Sequence, residues 1–301
     1  MMKNNRHNEG KKITRAVFIV ALAGAFTLPL QGCNEDVPVA DPFGALATRV
    51  PVEALDVATK KSVIVGGRLY DNWLKINNVT KAENNLMAKF LEGYPKLTTG
   101  EPPRNTLYGE FLVLSLKDQY RCTTCHGFNY SGSEFFPIGV MDAADNKTVE
   151  EIQKIISEGI SFQIGSTPTT VHAFSGDLNS TQIKDLATFV KYGVVNIEDY
   201  IYGFSPIHIG KGDAVNGRKL YEGEAGCSGS SCHGSTGKLL NLDKNGDTKY
   251  VGTIGQDNPA EMLHQIRFGQ SGSKMPSIYD GGLTTQNAAD IMTYTQQLSR
   301  D

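Results

Sequence analysis

The sequence predicts an all-α protein built from two similar halves. Three observations carry that expectation. The run Glu151-Ile-Gln-Lys-Ile-Ile-Ser-Glu-Gly159 aligns without gaps on Glu261-Met-Leu-His-Gln-Ile-Arg-Phe-Gly269. Leu178, Asp185, Leu186 and Phe189 align without gaps on Leu283, Asp290, Ile291 and Tyr294. Each pair of segments follows a Cys-pair-His run, at residues 122–126 and 227–233. Self-similarity of this kind is the mark of a repeated structural unit.

The elements follow in chain order. Lys3, Arg6, Lys11, Lys12 and Arg15 precede an apolar run from Ala16 to Leu30. That run is too short to span a bilayer as a helix and reads as the core of an export signal. It ends in Leu30-Gln31-Gly32-Cys33, which resembles the bacterial lipobox. Residues 1–32 are thus expected as a lipoprotein signal peptide, with lipidation at Cys33; a plain signal peptide is the competing reading. Asn34 favours sorting to the outer membrane under a rule some bacteria follow. Residues 33–61 lack a helical period and read as a tether. The first half is expected over 62–200, with residues 71–120 expanded: a helix after Thr80 and an apolar stretch at Leu107–Leu116. A linker follows at 201–210, within a Pro- and Gly-bearing stretch, and the second half spans 211–301. Thr148 with Glu151, and Asn258 with Glu261, have capping-box spacing, and Pro259 suits a first helical turn. The final segments have apolar residues at three- and four-residue steps, which places one buried stripe on each helix. A helix around Gly217–Tyr221 precedes the second Cys pair and is echoed upstream by Gly67-Arg68-Leu69-Tyr70.

Cys122-Thr123-Thr124-Cys125-His126 is the attachment signature of c-type haem. Cys122 and Cys125 would form thioethers, and His126 would supply one axial nitrogen. Cys227 and Cys232, followed by His233, form a looser version with four residues between the thiols. With Cys33, these pairs assign all five cysteines of the chain. The competing readings are a thiol–disulfide or zinc site for the first pair and a plain disulfide for the second.

The motifs and the order of helices resemble class I cytochrome c domains, two in tandem. The resemblance covers most of residues 62–301. Gly66–Trp73 and Cys125-His-Gly-Phe-Asn-Tyr130 also resemble dihaem cytochromes of bacterial respiratory chains. The four-residue spacer of the second motif departs from the family pattern. The resemblance implies two covalent c-type haems and a distal ligand from a loop before each final helix. In the second half that position holds Met275-Pro276. In the first it holds His172, with Met141 as a competitor that precedes the middle helix. A His126/His172 haem is then expected at lower potential than a His233/Met275 haem.

Composition narrows the function. Residues 1–32 carry five basic side chains and one acidic one, so their removal takes the formal charge from −3 to −7. That balance argues against nucleic acid and for redox partner proteins, other cytochromes among them. The expectation is a membrane-anchored electron carrier, periplasmic or cell-surface facing, rather than an enzyme. A dihaem oxidoreductase similar to thiosulfate dehydrogenases, or a dihaem peroxidase, is the alternative; a haem-based sensor is a third. His264 is expected on a helix surface or in packing rather than on a propionate. His208 is expected to be structural or exposed. Trp73, Arg121 and Tyr130 are candidate haem-edge or propionate contacts, with ordinary packing the competing reading for each. Asp243, Asn245 and Asp247 open like a calcium loop, but the acid and Gly that such a loop needs are missing, and Asn245-Gly246 reads as a tight turn.

Overall fold

Two helix pairs, one per half, frame the molecule. The computed structural model describes residues 49–76, 121–132, 139–164, 167–204, 207–242 and 249–300. The signal segment, Cys33, most of the tether, the stretch after Thr80, Leu107–Leu116 and the Asp243–Asp247 loop lie outside the described residues. The first half holds α1 (Val57–Ile76), α2 (Cys122–His126), α3 (Met141–Asn146), α4 (Val149–Glu158) and α5 (Ser180–Thr188). The second holds α6 (Ala214–Glu222), α7 (Val251–Asp257), α8 (Pro259–Phe268) and α9 (Thr285–Thr295).

The described residues are mostly helical, with two short antiparallel hairpins that the all-α expectation omits. Strands β1 (Ile160–Ile164) and β2 (Thr167–Val171) pair Ile160 with Val171. Strands β3 (Ile201–Phe204) and β4 (Ile207–Gly210) pair Ile201 with Gly210 and occupy the expected linker. This second hairpin is fastened to α9: Gly210 N–H donates to Gln296 Oε1, and Gln296 Nε2 donates to the carbonyl of His208. The folded region also begins upstream of the expected boundary. Val52 is buried in a short 3-10 turn, and Arg49 donates to Asp145 and to the carbonyl of Val194.

Local sequence explains the helix ends. Thr148 Oγ1 accepts from Glu151 N–H while Glu151 returns a bond to Thr148 N–H. Asn258 caps Glu261 N–H, and Pro259 occupies the first turn. Such a cap contributes about 1 kcal/mol. Helix α1 breaks at Asn72, whose backbone is extended and whose side chain accepts from Lys75 N–H.

Each half crosses its first helix over its last at a glycine. A Cβ on Gly66 would lie 2.1 Å from the carbonyl oxygen of Asp185. One on Gly217 would lie 1.9 Å from that of Asp290. Tyr70 and Tyr221, each four residues after its glycine, donate their hydroxyls to Gly127 and Gly234, the residues that follow the motif histidines. The structure therefore matches Gly66 to Gly217 and Arg68 to Lys219, one residue away from the register that the Gly-Arg echo suggests. One hydrophobic cluster surrounds α1, α4 and α5, and a second surrounds α6 to α9. Residues 48–301 nonetheless cluster as one compact unit.

Because backbone rather than a flexible side chain faces both glycines, Gly66→Ala and Gly217→Ala should each destabilise the protein by about 1–3 kcal/mol or more. Denaturant titration of each variant against the parent measures this.

Candidate functional site

The first site is built by a one-turn helix and the end of a hairpin. Helix α2 carries Cys122, Cys125 and His126. Gly127, at φ +66°, ends it and bonds back to the carbonyl of Thr123. Strand β2 delivers His172 from the other side. His172 sits at φ +67°, a left-handed conformation uncommon outside glycine but enriched in His. Ala173 then makes an inverse γ-turn, with Phe174 N–H donating to the carbonyl of His172 at 2.8 Å. Buried Trp73 meets Phe174 edge-on at 6.3 Å and braces this turn.

The turn aims one imidazole at the other. His126 Nε2 and His172 Nε2 are 3.3 Å apart, and the rings are inclined by only 20°. His172 Nδ1 is buried with no hydrogen-bond partner among the described residues. Met141, by contrast, starts α3 and places its sulfur 3.6 Å from Arg49 Nη1.

The second site is built from turns. The longer Cys spacer is absorbed between Ser228 and Cys232, and His233 N–H closes the loop onto the carbonyl of Cys227 at 3.0 Å. A cavity of about 400 Å³, its open mouth included, is lined by Cys227, His233, Met275 and apolar residues such as Leu242, Val251 and Ile266. Three of the four residues expected here thus share one cavity wall. Cys232 lies beside it in sequence but not among its lining. His233 Nδ1 is also buried without a partner among the described residues.

The four described cysteines are free thiols in this structure. Burial, with the neighbouring Cys125, pushes Cys122 up to about 12. Burial pushes Cys125 and Cys227 up to about 11. Thiols held so far from ionisation are poor nucleophiles at neutral pH. Burial also lowers His172 to about 4 and lowers His233, so both rings stay neutral with a lone pair to offer.

Do these residues fit two covalent haems? Two in-line metal–imidazole bonds need about 4 Å between nitrogens. The first site reaches that with under about 1 Å of opening. Among the described residues no group of three or more His, Cys, Asp or Glu side chains could hold a metal ion. A porphyrin supplies four ligands of its own and asks the protein for only two. The unpaired Nδ1 atoms of His172 and His233 lie on the ring edge away from Nε2 and mark room for water, so the fit rests on the facing Nε2 atoms and on the cavity beside Met275. The residues fit the group.

Sequence reasoning did not anticipate what lies between the sites. His264, 1% exposed, accepts from Tyr130 Oη at Nδ1 (2.8 Å) and donates from Nε2 to the carbonyl of Gly67 (3.0 Å). The carbonyl can only accept, which fixes this tautomer. The rings of Tyr70, Phe128, Phe189 and Phe268 surround it. Of its two expected roles His264 thus takes packing rather than the helix surface, as a pin between halves. Tyr130 is its partner. Arg121 donates to Asp71 Oδ1 at 2.5 Å and lies over the Phe128 ring. Burial pushes the Asp71 carboxyl up, but Arg121, with His264 and Ser271, outweighs it and holds the group below its usual range. The upstream signal was present: His264 stands opposite Lys154 in the repeat, a polar-to-aromatic change where only one half gains a neighbour.

The chain matches no protein-family model, and no curated protein matches it either. No described helix is long and apolar enough to cross a membrane.

Burial lowers His264 to about 4, against about 6.5 in an unfolded chain. Between those values the unfolded state binds the extra proton, so stability falls as pH falls from about 6.5 to about 4. The full effect is about 3 kcal/mol. Chemical denaturation of the parent and of His264→Gln across this window should show a flatter profile in the variant.

Proposed function

We propose that the chain is an exported dihaem electron carrier, two tandem class I cytochrome c domains tethered to a bacterial membrane through lipidated Cys33. One observation carries this reading: two imidazoles 46 residues apart in sequence face each other through Nε2 atoms 3.3 Å apart, beside a free Cys pair. The cavity shared by Cys227, His233 and Met275 supports the same reading for the second half.

A haem held at each site supplies a one-electron iron couple. The protein's own residues do the rest. Cys122, Cys125, Cys227 and Cys232 would tether the macrocycles by thioethers. His126 and His172 would hold the iron of the first haem, and His233 and Met275 that of the second. Imidazole favours the oxidised state and thioether the reduced one, so the two ligand sets would direct electrons from the first half to the second. The apolar wall of the second cavity would favour the haem state of lower charge. With two protein ligands for each iron, the sites would suit electron transfer rather than substrate binding. The partners that suit such a carrier are other redox proteins.

Electron paramagnetic resonance combined with redox titration on matured protein tests this. The expected result is two haems, one with a bis-imidazole signature and one with imidazole–thioether ligation, at separated potentials. Met275→His should lower only the higher potential, and His172→Met should raise only the lower one. One haem per chain, or a single shared potential, counts against the reading. Fast carbon monoxide binding by the reduced protein would mean that a distal ligand, His172 or Met275, leaves its iron, as a dihaem enzyme requires.

A further inference from the structure

In the Gly66–Trp73 run, the Gly67 carbonyl takes the bond from His264, and beside it stands Arg68. Its guanidinium reaches the other half. Arg68 Nε donates to the carbonyl of Phe268 at 2.7 Å, and Nη2 donates to the carbonyl of Met275 at 3.2 Å. Phe268 is the last residue of α8, and Met275 is the candidate distal ligand. One planar fork therefore ties together both ends of the loop that presents the sulfur.

The backbone of α1 adds a further tie. Ser271 Oγ donates to the carbonyl of Arg68 at 2.6 Å. The loop lies close against this surface. A Cβ on Gly269, at φ +80°, would fall 2.4 Å from the Met275 carbonyl oxygen and 2.6 Å from Arg68 Nη2. A Cβ on Gly272, at φ +66°, would fall 2.9 Å from Lys75 Cβ. Within itself the loop has short-range bonds, such as Ser273 Oγ accepting from Met275 N–H.

The first half solves the same problem differently. Its middle helix ends at Gly159 (φ +85°), as α8 ends at Gly269. There a β-hairpin follows and carries His172 from within the same half. The second half lacks that hairpin and borrows α1. Nor does its own first helix supply a substitute: Arg218 pairs with Glu222 one turn along α6.

We infer that Arg68 is a positioning residue for Met275, holding the distal loop of the second site from the first half. This rests on Met275 being an iron ligand. Its consequence is that the ligation and potential of the second haem depend on a side chain of the first half. Lysine is a poor replacement, because one ammonium cannot reproduce a planar fork.

The test uses matured full-length protein, with Arg68→Met, which keeps the apolar stem, and Arg68→Lys. The readouts are the methionine-to-ferric-iron charge-transfer band across a pH titration and both midpoint potentials. Losing charge-assisted bonds should raise the fraction of detached methionine about tenfold at a given pH. In Arg68→Met the higher potential should fall while the lower one holds, with Arg68→Lys intermediate. A band and potentials equal to the parent's overturn the inference. So does an equal shift of both potentials, which marks a general structural role. If Arg68→Met does not fold, Arg68→Lys decides by the same readouts. A parent that lacks the band removes Met275 as ligand and overturns the two-ligand reading beneath, an outcome visible before any variant is made.

Discussion

Helix α1 has two neighbours to serve, and consecutive glycines make that feasible. Successive helical residues point about 100° apart, so Gly66 and Gly67 open different sides of one helix. Through Gly66 the backbone of α5 comes within van der Waals reach; through Gly67 the ring of Phe268 does. A side chain at either position would separate α1 from one half. Several ties between the halves lie along the same stretch: the Gly67 carbonyl receives His264, Arg68 spans the Met275 loop, and Ser271 donates to the Arg68 carbonyl. The two motifs are thus not beads on a string but share one helix.

The chemistry of this seam is polar yet dry. His264 is neutral and fully bonded. Arg267, wholly buried, donates to Tyr279 Oη and to the carbonyl of Gly193, and its guanidinium lies over the rings of Phe268 and Tyr279. Nη1 has no hydrogen-bond partner among the described residues. Burial works against the charge, but the surrounding tyrosines outweigh it and keep the guanidinium protonated. Buried polar groups of this kind add little net stability. Their geometric demands are strict, however, since each misplacement leaves a donor unpaired. The seam therefore fixes the orientation of the halves more than it strengthens their union.

Repetition made much of the molecule legible from sequence. The caps at Thr148 and Asn258, the aligned middle and final helices, and the motif histidines follow local rules that a single chain reveals. His172 was reachable only through the repeat, because a lone His carries no signal of its own. What escaped was non-local or compensatory. The hairpins are short and their strands lack a clean alternation of apolar and polar residues. The Gly-Arg echo suggested a register that the Tyr70 and Tyr221 bonds move by one residue. Packing was among the roles expected of His264, but its role as a pin escaped because its partners, Tyr130 and Gly67, lie more than 130 residues away.

The hairpin that ends at His172 has a consequence for how such a chain can change. It leaves the helical frame at Gly159 and returns at the γ-turn, so its length and sequence are free to drift without disturbing a helix crossing. A different reach would move His172 relative to His126 and leave the Gly66 crossing as it is. The Met275 loop has no such freedom, pressed as it is against another segment's backbone. One half is thereby the adjustable end of the molecule and the other the fixed reference, and successive generations can retune the first without relearning the second.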